Sequence, residues 1–147
     1  MYERILVATD GSTLSKKAVT TAISLAALCG AELVVMKVVA RYPVSYFEGG
    51  VTISAQDVAK TEKSWQDAAE LVVNAVKELA KKKGVVAKGV IPQSDLVAES
   101  IISGAKKHKC DLVVMASHGR KGIKRLLLGS ETQHVLTHST VPVLVLR

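Results

Sequence analysis

The sequence predicts an α/β protein built on a doubly wound, five-stranded parallel sheet with helices on both faces. Five short apolar runs, at residues 4–9, 33–40, 85–91, 112–116 and 141–146, alternate with segments whose apolar residues recur at helical spacing. The runs are almost uninterrupted Val, Leu, Ile and Ala, as strands buried on both faces require. Aromatic residues make up only 3% of a chain that is 48% hydrophobic, and small aliphatic side chains suit helices packed closely on such a sheet.

At 147 residues the chain can bury one sizeable core, and residues 1–147 are read as a single domain. The first run ends in Asp10-Gly11-Ser12, a turn and helix start. Leu14, Ala18, Ala22, Leu25 and Cys29 then recur at helical spacing, and Gly30 stands where a left-handed C-terminal cap is wanted. Residues 33–40, broken only by Lys37, supply the second strand of a right-handed βαβ unit. Residues 41–55, with Pro43, Gly49 and Gly50, have no periodicity and form the longest expected loop, a length found in functional lids and disordered inserts alike. Val58, Trp65, Ala69, Val72, Val76 and Leu79 mark the apolar face of a long helix, ended by Lys81-Lys82-Lys83-Gly84, where cations complement the helix dipole. After the third strand, Ser94 is expected to cap a helix that turns Val97, Ile101 and Ala105 inward. The fourth strand, a loop over 117–128, a helix over 129–137 and the run Val141-Pro142-Val143-Leu144-Val145-Leu146 complete the alternation.

Ligands in doubly wound sheets bind at the carboxyl ends of the central strands, where strand order reverses, which directs attention to the loops after strands one and four. The segment from Met115 through Ala116, Ser117, His118, Gly119 and Arg120 to Gly129 and Ser130 brings glycines, cations and hydroxyls together. Gly119, Gly122 and Gly129 let backbone N–H groups approach an anion unobstructed, and the helix opening near Gly129 presents unpaired N–H groups at its positive dipole end. Such a loop can cradle phosphates. Arg120, Lys121, Lys124 and Arg125 place four cations within six residues, enough to hold a polyphosphate or to form a solvated loop edge. The net charge of +7 attracts anions without choosing among them.

Several function classes lose support. There is no GxxxxGK[ST], no GxGxxG after the first strand and no Ser-Gly-Gly pyrophosphatase loop, which disfavours P-loop NTPase, dehydrogenase and adenylating-enzyme chemistry. His118 has no nucleophile and orienting carboxylate in a recognisable order, so no catalytic residue is assigned. His134 and His138 lie four apart without a third ligand in sequence, and Cys29 and Cys110 are isolated and read as inert buried thiols, so no metal ligand is assigned. Nucleic acid is not an expected partner, because neither stacking aromatics nor a recognised motif accompanies the charge. No run approaches the roughly 18 apolar residues of a membrane helix and the start shows no signal-peptide pattern, so a cytoplasmic protein is expected.

On these residues the chain resembles the universal stress protein family. Where that family has G-x2-G-x9-G-[S/T], this chain has Ala116-x2-Gly119-x9-Gly129-Ser130, three of the four motif positions. The opening Ile5-Leu6-Val7-Ala8-Thr9-Asp10-Gly11-Ser12 and the ending Pro142-Val143-Leu144-Val145 also look like the family's first and last strands. The resemblance implies an adenine nucleotide alpha hydrolase-like sheet of strand order 3-2-1-4-5, binding ATP or a related adenine nucleotide together with a divalent cation such as Mg2+. It implies phosphate roles for Ala116, Gly119, Gly129 and Ser130, a ribose contact for Asp10 and an adenine contact for Val38, with Ala8, Thr9 and Met115 lining the same cleft. Ser117, His118, Arg120, Glu131 and Thr132 complete the binding segment. Ala116 in place of the motif's first glycine would crowd the ligand only if that residue needs positive φ or a very close approach. Asp10 and Ser130 read equally as a turn or capping carboxylate and an N-cap hydroxyl.

The implied function is a nucleotide-responsive stress regulator that binds rather than turns over its ligand. The alternatives are a dimeric scaffold without ATP and a slow ATPase or self-phosphorylating protein using Ser130 or Thr132. The last run is an apolar edge strand, and exposed edges are normally covered or paired, so a homodimer joined through Val141 to Leu146 is expected, as the resemblance also implies.

Overall fold

The computed structural model describes residues 1–43, 53–119 and 128–147. In chain order the elements are β1 (Arg4–Ala8), α1 (Thr13–Cys29), β2 (Glu32–Met36), α2 (Ala55–Lys82), β3 (Ala87–Val90), α3 (Val97–Lys107), β4 (Leu112–Ala116), α4 (Ser130–His138) and β5 (Val143–Leu146). The strands form one parallel sheet in the order β3-β2-β1-β4-β5, as expected. Among the described residues no helix is long and apolar enough to cross a membrane.

Alternation along the strands feeds two cores. Ile5, Val7, Leu33, Val35, Leu112 and Val114 pack under α1 and α2, against Ala18, Ala22 and Ala26 of the first and Val73, Val76 and Ala80 of the second. Leu6, Val34, Met36, Val113 and Met115 face the other way, against Ala98, Ile101 and Ala105 of α3 and Val135 of α4. Because both faces are covered, every residue of β4 is buried, which accounts for its unbroken apolar run.

The buried face of α2 is Ala69, Val73, Val76 and Ala80, not the larger residues of the sequence pattern: Trp65 is 37% exposed and Leu79 49%. The reason is close approach to the sheet, since Val73 occupies room that Gly89 of β3 leaves open. Trp65 instead stacks on Tyr42, ring centroids 6.1 Å apart and planes 15° from parallel. Ser94 does not cap α3. Its Oγ accepts from Leu96 N at 3.0 Å, while the first turn of α3 is capped across space by Glu131 Oε2, which accepts from Ala98 N at 2.8 Å.

The cysteines differ. Cys110 is buried, and desolvation, opposed by Arg4 and reinforced by Asp111, pushes its thiol up to about 11. Cys29 is only partly buried, which corrects the reading of two buried thiols.

Helix ends also differ in chemistry. Ser12 Oγ caps α1 by accepting from Ser15 N at 3.2 Å, and Gly30 ends it at φ 67°. Gly84 follows α2 at φ 72°. After α3, Lys109 takes the left-handed position at φ 54°, the sole non-glycine among the described residues to do so. Lys109→Gly is therefore expected to stabilise the protein by about 0.5–1 kcal/mol, the relief of left-handed strain exceeding the added freedom of the unfolded chain. Chemical denaturation would show it as a raised midpoint at unchanged slope.

Candidate functional site

The carboxyl ends of β1, β2 and β4 open onto a cleft of about 700 Å3, within the range of small-molecule sites. It lies beside the central strand β1, where connections leave toward opposite faces of the sheet.

Ala8, Thr9 and Asp10 enter from β1. Thr9 N donates to Met36 O at 3.0 Å, carrying the sheet one residue further. Its Oγ1 accepts from Gly11 N at 3.2 Å and lies 3.1 Å from Ser15 Oγ. Asp10 Oδ1 accepts from Ser12 N at 2.9 Å, and Gly11 at φ 79° completes the turn. Asp10 therefore performs the turn role anticipated for it while its other oxygen faces the second loop. A Cβ added at Gly119 would stand 3.0 Å from Asp10 Oδ2, so glycine there lets backbone and carboxylate meet.

From β4 come Met115 and Ala116, followed by His118 and Gly119. Ala116 remains in the strand opposite Leu146 and does not take positive φ, so alanine at the motif's first position brings no left-handed strain. Its carbonyl accepts from Thr132 Oγ1 at 2.9 Å. Ser117 lies behind the cleft instead of lining it: its N–H donates to Leu146 O and its carbonyl accepts from Gly129 N, both at 2.8 Å. That second bond draws the two ends of the loop together, and a Cβ at Gly129 would come within 3.1 Å of the same carbonyl oxygen. Ser117 Oγ also lies 2.9 Å from His118 Nδ1.

Gly129, Ser130, Glu131 and Thr132 present the start of α4 to the cleft. Gly129 is the N-cap and Ser130 the first helical residue, which corrects the N-cap reading of Ser130; among the described residues no side chain caps this end. Its first-turn N–H groups thus face the cleft without a side-chain acceptor, at the positive end of the helix dipole. The Glu131 carboxylate is turned to α3. Arg120, with Lys121, Gly122, Lys124 and Arg125, lies outside the described residues, as does most of the expected lid.

Val38 lines the cleft, joined by Met36, Lys37 and Ala40. The sequence reading missed the opposite wall, Ser94, Asp95 and Val97. An isolated bridge between Val39 and Gln93, with Ser94 N donating to Val39 O at 2.9 Å, brings that segment alongside, and Asp95 Oδ1 accepts from Arg41 N at 3.0 Å. No local sequence signal marks these partners. His134 and His138 lie away from the cleft, their ring centroids 4.3 Å apart and their planes tilted by 32°, and among the described residues no three ligating side chains converge as a metal site.

A family model described as the universal stress protein family matches residues 1–147. Universal stress protein MJ0531 of Methanocaldococcus jannaschii is 33% identical over 153 residues, covering 100% of this chain and 83% of the relative. Universal stress protein YxiE of Bacillus subtilis is 32% identical over 149 residues, covering 100% of both. Among solved structures, universal stress protein UspA from Lactobacillus plantarum shares the fold with a TM-score of 0.82 at 23% identity, over 99% of this chain and 98% of that one. A universal stress protein crystallised in complex with cAMP matches with a TM-score of 0.69 at 26% identity, over 99% and 97% of the two chains. The family model over the whole chain and the relatives 32% and 33% identical over its full length have one conclusion: the protein belongs to the universal stress protein family.

Proposed function

We propose that this protein binds an adenine nucleotide, ATP foremost, in the cleft between β1 and β4 and acts in the cytoplasm as a nucleotide-responsive stress regulator. The observation that carries the reading is the convergence of Asp10, Gly119 and the start of α4, with glycine at its N-cap, on one cleft with Val38. The relative in complex with cAMP supports an adenine nucleotide as the ligand class. In this reading Val38 and Met115 flank the adenine, Asp10 takes the ribose hydroxyls, and the N–H groups from Gly119 and from Ser130 to Thr132 take phosphate oxygens, while Gly129 N stays bonded to Ser117 O. Ala8, Thr9 and Ala116 shape the floor, and Arg120 adds charge to the phosphate loop. A divalent cation such as Mg2+ would enter with the phosphates and be held chiefly by them. Binding, not turnover, is the proposed role, with the occupied loop presenting a different surface to partners.

Isothermal titration with ATP, AMP and cAMP is expected to give saturable binding. Asp10→Asn keeps an acceptor for Ser12 N and hence the turn, yet should weaken binding about tenfold by removing the charged acceptor for the ribose. Absence of binding at millimolar nucleotide would overturn the proposal in favour of a scaffold without nucleotide.

The proposal includes a homodimer through the last strand. β5 is a sheet edge, with Leu144 37% exposed, and pairing it across a two-fold axis would cover that edge. Sedimentation at micromolar concentration should return twice the chain mass of 15.6 kDa; a monomer mass would refute it.

A further inference from the structure

A second cavity, of about 400 Å3, opens at the other end of the sheet, where β1 to β3 begin and α3 ends. Arg4, Lys88, Lys107 and Lys109 line it against a single carboxylate, Glu32. That carboxylate is already engaged, accepting from Arg4 Nε at 2.9 Å and lying 2.8 Å from Nη2. Arg4 Nη1 donates to the His108 carbonyl at 2.9 Å, so the guanidinium is held between β2 and α3. The neighbouring Asp111 carboxylate is turned to the backbone, accepting from Glu3 N and Arg4 N. The accumulated positive charge acts on the remaining lining group: burial pushes the His108 imidazole below its ordinary range, and Lys88, Lys107 and Arg4 push it further.

Lys109 adds an independent observation. The turns after α1 and α2 place glycine at the left-handed position, Gly30 and Gly84, whereas the turn after α3 places a lysine there. The backbone strain is retained at the one helix end whose side chain reaches this cavity.

We propose that the cavity is a second anion site, separate from the cleft, taking a small molecule with two or more adjacent phosphate groups. Beyond the Arg4–Glu32 pair, Lys88, Lys107 and Lys109 leave three positive charges, which match a multivalent anion better than a monovalent one. The volume suits a small ligand. Free polyphosphate and the phosphates of a nucleotide share this chemistry.

The test is a two-dimensional 1H–15N NMR titration of the intact protein with inorganic tripolyphosphate and, separately, with ADP, at constant ionic strength. Saturable shifts are expected at Arg4, Lys88, His108 and Lys109. Tighter tripolyphosphate binding there assigns the free polyanion as ligand, and tighter ADP binding assigns the nucleotide. Lys109→Gly should weaken binding at this site about tenfold without lowering the unfolding midpoint, and Lys88→Ala should weaken it similarly. Shifts that do not saturate by millimolar ligand, shifts confined to residues 115–119 and 128–132, or parental affinity in both variants would overturn the proposal. The cleft proposal is read from cleft residues, Asp10 and Val38 with those after β4, and none of them lines this cavity, so either can fail without the other.

Discussion

Leu6→Ala is expected to lower the unfolding free energy by about 3–4 kcal/mol, through lost apolar burial and a void that its surroundings cannot close. Leu6 is 0% exposed at the middle of the central strand, with Val34 and Val113 beside it in register. Hydrogen bonding to strands on both sides holds the backbone at that site, while Ile101 and Ala105 of α3 complete the cluster on the same face. Relaxation would require α3 to sink toward the sheet, and α3 is tied to α4 by the bond between Ala98 N and Glu131. Urea denaturation followed by circular dichroism should show a lower midpoint with an unchanged slope. Leu28→Ala, at a side chain 86% exposed on α1, is the matched control and should stay within about 0.5 kcal/mol of the parent. A loss below about 1 kcal/mol for Leu6→Ala would show that this face of the sheet can collapse into the void, contrary to the packing described.

The largest effect on ligand binding is expected from Gly129→Val, which should weaken nucleotide binding about 100-fold, equivalent to about 2.7 kcal/mol. The obstruction is backbone: the new Cβ would stand 3.1 Å from Ser117 O and 3.6 Å from His118 Cα. Neither atom can rotate away as a side-chain end could, and the two valine methyls add to the crowding. Relief requires the loop ends to separate, breaking the Gly129 N to Ser117 O bond and moving the start of α4 off the phosphate position. Gly129→Ala, with the Cβ alone, should fall between variant and parent. Titration calorimetry read beside a thermal melt separates the lost site from a lost fold. Parental affinity in a folded Gly129→Val protein would place the nucleotide elsewhere.

Much of the cleft was legible because its parts are local. Asp10-Gly11-Ser12 is a turn whatever surrounds it, since the carboxylate reaches Ser12 N within the same few residues. Gly119 and Gly129 were visible through the loop chemistry and the family motif, although their reasons are tertiary: one faces Asp10 and the other faces Ser117. Ser117 shows the limit of such a reading. It sits within the motif segment, but its hydrogen bonds to Leu146 and Gly129 place it behind the cleft wall. The wall formed by Ser94, Asp95 and Val97 had no local signature at all, because it is brought to the site only by the Val39–Gln93 bridge.

The amino-acid order by itself determined the number, type and sequence of the elements, their parallel arrangement and the end of the sheet that carries the cleft. Those properties follow from hydrophobic period, turn residues and connection length, which act over a few neighbouring positions. Tertiary structure alone decided which stripe of α2 is buried, that Glu131 caps α3, and that Lys109 stands beside Arg4 and Lys88. Each depends on how closely two distant segments approach. Trp65 and Leu79 have the hydrophobicity of core residues, but the room left by Gly89 selects Val73, with the small Ala69 and Ala80 on the same buried stripe.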